Sequence, residues 1–154
     1  MLAASAILWL LADASLERLS VSPPGPQSGV VVGAGFAITQ PVSPSLTIAL
    51  TGRAGAAHVD DWRPVFEAQV EASWREIFGV HVGARHDDRL RRDGALSDYR
   101  DPTGRLFAGV SIMPLQRKGV AAGAVFDYER AMPGAGRLPS GTRVTAVVRF
   151  RVRV

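Results

Sequence analysis

His81 is the residue in this chain best suited to move a proton, and a hairpin between them would bring Glu71 to its side. A carboxylate there can fix the imidazole tautomer and tune its pKa, as general acid–base catalysis requires. Two acidic clusters, Asp60-Asp61 and His86-Asp87-Asp88, carry oxygen donors of the kind a divalent cation takes. Arg89, Arg91 and Arg92 follow closely and could grip phosphate oxygens. Each group also has a plainer role, as a histidine in a polar network or as solvated loop charge. The sharper roles find no reinforcement, because the chain has no Ser-centred elbow, no phosphate-cradling glycine loop and no metal-spaced His cluster. Cysteine is absent, which removes disulfides and thiolate metal sites. No catalytic, cofactor-binding or metal-binding residue is assigned on these grounds.

The elements that must position these side chains are written as alternation. In the last stretch Val144, Ala146, Val148, Phe150, Val152 and Val154 alternate with Arg143, Thr145, Val147, Arg149, Arg151 and Arg153, a two-residue period that only a strand can use. The same pattern recurs at residues 30–39, 45–53, 66–75, 78–85, 106–113 and 120–129. A helix over 64–78 competes locally, since Phe66, Val70, Trp74 and Phe78 also form an i, i+4 stripe, with Asp61 to cap it and Pro64 in a first turn. Strand is preferred there because the same parity continues through Ala84. Proline and glycine at 23–29 and 133–141, and Asp93-Gly94 and Asp101-Pro102, mark the connections.

With 154 residues the chain is sized for one domain, and no run approaches the roughly 20 apolar residues of a spanning helix. Its net charge of +4 is almost all arginine, with Lys118 the only lysine. Those charges form no basic tract interleaved with aromatics, so nucleic acid is not an expected partner.

Alternation alone describes a sheet with one apolar face, and a soluble barrel or sandwich would bury that face. Three features turn it outward. The strands are long for a soluble sheet and suit a tilted membrane crossing. Short connections alternate with longer ones, as they do when the two ends face different compartments. The polar parity mixes Gly33, Gly35, Gly79, Gly83, Gly109 and Gly123 with charge, as a narrow lumen demands when small residues must make room for long ones. Buried charge needs partners, so a structural ion-pair network is expected among Glu67, Glu71, His81, Arg85, Arg105, Asp127, Glu129, Arg149 and Arg151. With Trp74 opposite Phe78, Glu71 faces His81 and Glu67 faces Arg85; with Pro114 opposite Lys118, Arg105 faces Asp127.

On this dyad alternation, the connection asymmetry and the terminal strand, the chain resembles the small eight-stranded outer-membrane barrels of Gram-negative bacteria, the OmpA transmembrane domain and OmpX family. The resemblance covers roughly Ser15 to Val154. It implies an all-β, antiparallel, up-and-down transmembrane β-barrel of about eight strands in the bacterial outer membrane. Family members usually close with an aromatic residue, whereas this chain ends in Val154. The lipid A deacylases of this architecture carry a His-x-Ser motif, and here His58, His81 and His86 are followed two residues on by Asp60, Gly83 and Asp88.

Seven strands are explicit and an eighth must lie upstream, within Ala14 to Val21, with Leu19 and Val21 outward. Ahead of it, Leu2 to Leu11 followed by Ala12-Asp13-Ala14 reads as a secretory signal cleaved after Ala14. The expected organisation is a signal at 1–14 and a single barrel domain at 15–154. The expected function is a non-catalytic outer-membrane barrel with a packed polar lumen and a structural or surface-interaction role. It would be monomeric, use no cofactor, and have membrane lipid as its partner, with lipopolysaccharide met through Arg89, Arg91 and Arg92. A soluble β-barrel or α+β module binding a small ligand is the alternative, and a membrane-embedded lipid-modifying enzyme the third.

Overall fold

The computed structural model describes residues 5–21, 25–58, 62–87, 104–131 and 140–154. They form eight strands: β1 (Ile7–Val21), β2 (Gly25–Pro41), β3 (Leu46–His58), β4 (Trp62–Trp74), β5 (Phe78–Asp87), β6 (Arg105–Arg117), β7 (Val120–Ala131) and β8 (Gly141–Arg153). Each pairs antiparallel with its sequence neighbours, and β1 pairs with β8 from Trp9↔Arg153 to Val21↔Gly141, closing the barrel. Closure satisfies the edge hydrogen bonds that an open sheet would expose.

The barrel is turned inside out relative to a soluble domain. Its buried residues include Asp13, Glu17, Glu67, Arg85, Arg105 and Arg143, while Leu16, Leu50, Phe66, Val82, Phe126 and Phe150 stand on the outside. The strand parity sets this arrangement, because successive side chains point to opposite faces. Phe36 lies outward over Gly52, its directly paired neighbour on β3, and covers backbone that glycine leaves bare. The segment 64–78 is strand β4 and a turn, because pairing with both β3 and β5 uses its backbone groups and its alternation as a helix could not.

The turn end carries the start of β1, the end of β8 and three short connections, including Val42–Ser45 and Lys118-Gly119. The third, Arg75–Ile77, holds Arg75 and Glu76 at φ of 51° and 58°, and the Ile77 N–H donates to the Trp74 carbonyl at 3.0 Å. This is the φ pair of a type I′ hairpin turn, whose twist matches the flanking strands.

Three expectations about the elements are corrected. The connection between the alternating stretches 45–53 and 66–75, expected among the longer ones, is short, since β3 runs to His58 and β4 begins at Trp62; the long connections are 88–104 and 132–140. The turn between β6 and β7 falls at Lys118-Gly119, and the register then shifts by one residue between Leu115 and Ile112. Pro114 lies inside that irregularity, where a residue without an N–H is tolerated. Arg105 therefore pairs with Ala131, and Asp127 with Gly109, rather than with each other.

The first strand is β1, which reaches further upstream than Ala14. Residues 7–14, the end of the stretch that reads as an export signal, pair with β2 and put Asp13 into the lumen. Cleavage after Ala14 would remove the first half of this strand. Leu19, expected outward, is fully buried. The parity of β1 is set by Asp13 and Glu17, which must reach arginines inside, and Leu19 shares their face.

Candidate functional site

The lumen holds one continuous charged network, and Glu67 on β4 is its hub. Its Oε2 accepts from Arg85 at 3.2 Å and Arg143 at 3.1 Å, while its Oε1 lies 3.4 Å from Arg53. Arg85 sits at this point because the tight β4–β5 turn fixes the pairing Glu67↔Arg85. Its guanidinium, with no exposed side-chain surface, also donates to both carboxylate oxygens of Glu17, at 3.1 and 2.8 Å, and to Asp87 at 2.9 Å. Such forked, charge-assisted bonds are the strong ones.

Arg143 on β8 forms the second node, with Asp127 at 2.6 Å and Glu129 at 3.0 Å. Arg105 on β6 closes the loop-side end through Glu129 at 2.7 Å and Asp87 at 3.4 Å. Each ion moved from water into a protein interior costs several kcal/mol, and multiple partners offset that cost. Towards the turns Asp13 holds Arg53 at 3.0 Å and Arg149 at 3.6 Å.

His81 faces Asp127, with Nε2 2.6 Å from Oδ1, and not Glu71, although Glu71 is its backbone pairing partner. The reason is volume. Gly109 lies between His81 and Asp127, and a β-carbon there would sit 2.9 Å from the imidazole Nε2 and against the Asp127 carboxylate. The Phe107 ring packs on the edge of His81 at 5.9 Å and under the Arg143 guanidinium at 5.0 Å. The His81 and Asp127 side chains are almost wholly enclosed, and Asp127 is shared with Arg143.

Below the network the lumen widens into a cavity of about 100 Å³ lined by Leu11, Ala37, Thr51, Glu71, Ser73 and Arg149 among others. Between the two lies a gap of only about 20 Å³. Space of that size suits a few water molecules.

Comparison with known proteins assigns no family. No family model matches the chain, and no curated protein matches it. Among solved structures it is similar to Neisserial surface protein A, at 14% identity and a TM-score of 0.45, over 95% of this chain and 98% of that one. It is also similar to the outer membrane protein OprG from Pseudomonas aeruginosa, at 8% identity and a TM-score of 0.34, over 97% and 96%. Ail, the attachment invasion locus protein of Yersinia pestis, follows at 10% identity and a TM-score of 0.33, over 96% and 99%. The protein is a closed eight-stranded antiparallel barrel.

Of the residues expected in the network, the structure brings together Glu67, His81, Arg85, Arg105, Asp127 and Glu129. Arg149 belongs to the smaller Asp13 cluster. Glu71 lines the cavity without a direct ion pair among the described residues. Arg151 sits at the turn-end rim, bonded to Glu76 at 2.6 Å and stacked over the Trp9 ring at 5.1 Å. Asp13, Glu17, Arg53, Asp87 and Arg143 complete the network, and the sequence alone does not assign them to it. Arg53 and Arg143 stand on the polar parity and could have been found by it. Asp87 lies beyond the last residue of the clear β5 alternation, and apolar flanks hide the polar parity of β1. His86 and Asp87 point to opposite faces, with His86 against the Phe66 ring at 6.2 Å, so the two do not converge on a cation. Arg89, Arg91, Arg92, Asp60, Asp61 and Asp88 lie outside the described residues.

Proposed function

We propose that the protein is an outer-membrane β-barrel that spans the bilayer as a monomer, performs no catalysis, and serves a structural or surface-interaction role. The observation that supports this is the inversion of the barrel: an apolar outer wall with exposed Leu50, Val82 and Val110 around a lumen filled by buried Arg85, Arg105 and Glu129. In water such a wall would drive aggregation, whereas in lipid it is the stable arrangement. Trp74 and Phe78 near the turn end, and Trp62 and Tyr128 near the loop end, are exposed on the outside and suit the two interfacial girdles. The filled lumen argues against a wide channel.

Membrane lipid is the proposed surrounding, and lipopolysaccharide the proposed contact of the loop end through Arg89, Arg91 and Arg92. Fractionation of the native cell tests the location. The protein is expected in the outer-membrane fraction and, unboiled in dodecyl sulfate, to migrate faster than after boiling. Recovery as a soluble monomer without detergent would overturn the proposal. Unchanged lipopolysaccharide association after joint replacement of Arg89, Arg91 and Arg92 by Gln would remove that contact alone.

A further inference from the structure

Among the side chains of the described residues, the turn end of the barrel carries more positive than negative charge, spread along the rim from the β4–β5 turn through the β6–β7 turn to the end of β8. Arg75, Arg117, Lys118 and Arg153 are all exposed there, and none has an acidic side-chain partner among the described residues. The single acidic side chain at that end among the described residues, Glu76, is bonded to Arg151 at 2.6 Å. Backbone hydrogen bonds tie the carriers into one surface. The Met113 N–H donates to the Ile77 carbonyl at 2.7 Å, joining the β4–β5 turn to β6, and the Arg151 N–H donates to the Gly119 carbonyl at 2.8 Å, joining the β6–β7 turn to β8. The Val42–Ser45 turn is uncharged.

These cations stand directly beneath the apolar wall. The Arg75 guanidinium lies 4.6 Å from the centre of the outward Trp74 ring. Arg117 is two residues beyond the exposed Leu115 and pairs with Val120. Above Val120 the wall is low. A trough of about 440 Å³ runs across β7, β8 and β1, where Ala122, Ala146 and Ala14 lie between the taller Leu16, Val30 and Val148. At about 3.3 Å per residue it begins about 7 Å up the strand from Arg117, within the reach of an acyl chain whose headgroup rests on the rim.

We infer that this rim gathers anionic phospholipid of the leaflet at the turn end, with headgroup phosphodiesters met by Arg75 at the β4–β5 turn and by Arg117, Lys118 and Arg153 on the β6–β8 side, where an acyl chain lies along the trough. The inference rests on the barrel spanning a bilayer. Phosphate oxygens complement guanidinium and ammonium donors, and each cation near a charged membrane surface adds to the attraction.

The test is depth- and headgroup-selective quenching of Trp74 in the Trp9→Phe/Trp62→Phe protein, folded into phosphatidylcholine vesicles. A minor share of brominated phosphatidylglycerol is compared with the same share of brominated phosphatidylcholine. Quenching by the anionic lipid is expected to be about two- to threefold stronger, given four cations at the surface. The excess should vanish at high salt and in the Arg75→Gln/Arg117→Gln/Lys118→Gln/Arg153→Gln variant, while Trp62 in a matching single-tryptophan protein is unaffected by that variant. Equal quenching by the two lipids, or an excess that survives the four replacements, overturns the inference and leaves the membrane barrel standing. Absence of quenching by either lipid removes the membrane barrel, and the inference with it. The two-lipid comparison needs only the unsubstituted rim, so a variant that fails to fold does not remove the test.

Discussion

Arg85 is the side chain on which the lumen most depends, because Glu17, Glu67 and Asp87 all converge on it. Replacement by Met would leave three buried carboxylates facing one another with less cation to share, and removal of one partner of a buried pair costs about 3–5 kcal/mol. Urea unfolding of the Arg85→Met barrel in detergent should show a loss of that order. Adding Glu17→Gln should return part of it, since partners in one network do not add independently. Glycine positions divide by what surrounds them. At Gly109 a methyl group meets the His81 and Asp127 contact, whereas at Gly52 it meets the Phe36 ring at 3.0 Å, on the open outer face where the ring can swing aside. Gly109→Ala should therefore destabilise by about 1–3 kcal/mol, the usual range for overpacking, and Gly52→Ala by clearly less. Equal losses in the same unfolding experiment would show that the outer ring is as constrained as the lumen.

Among the elements, the turns decided what could be read in advance. Glu67 opposite Arg85 follows from one tight hairpin, so parity plus a turn position was enough. Arg105 opposite Asp127 failed because the β6–β7 turn lies at Lys118-Gly119, where Arg117 pairs with Val120, beyond the break in alternation at Pro114; the irregularity at Pro114 itself moves the register by only one residue. The strand β1 was the least legible. Its Asp13 and Glu17 lie among leucines and alanines that equally describe an export signal, and only long-range pairing with β8 discloses them as lumen residues. Deleting residues 1–14 should abolish the heat-modifiable folded band, because the rungs Trp9↔Arg153 to Ala14↔Val148 that close the barrel go with them. A shortened protein that still folds would place the closing contacts in the second half of β1 alone. The Arg75-Glu76 turn offers a gain instead. Both residues occupy left-handed φ, which costs a side-chain-bearing residue roughly 1–2 kcal/mol, and the exposed Glu76–Arg151 pair returns at most about 1 kcal/mol. Arg75→Asn/Glu76→Gly should raise the unfolding free energy by about 1 kcal/mol, Asn-Gly being the favoured pair for this turn.

For the molecule as a whole, alternation could place apolar and polar residues on opposite faces but could not say which face was inside. Closure of eight strands answers that, because Arg85, Arg105 and Arg143 meet their carboxylate partners inside the narrow lumen and the apolar face is left outside. The consequence for energetics is a sign that differs between solvents. Leu50, Val82 and Val110 are exposed at mid-strand, and on a soluble protein the replacement of an exposed residue by arginine usually changes stability by no more than about 0.5 kcal/mol. In a bilayer the same change near the midplane costs about 2–4 kcal/mol and falls to about 0–1 kcal/mol near the interface. Unfolding titrations in phospholipid vesicles should therefore show large losses for Leu50→Arg, Val82→Arg and Val110→Arg, and a small one for Leu115→Arg, which lies close to the turn end. A flat profile across the four would mean that the outer wall does not face lipid. A graded one would assign the wall its depth in the membrane, residue by residue, with the Arg117 and Lys118 rim as its lower boundary.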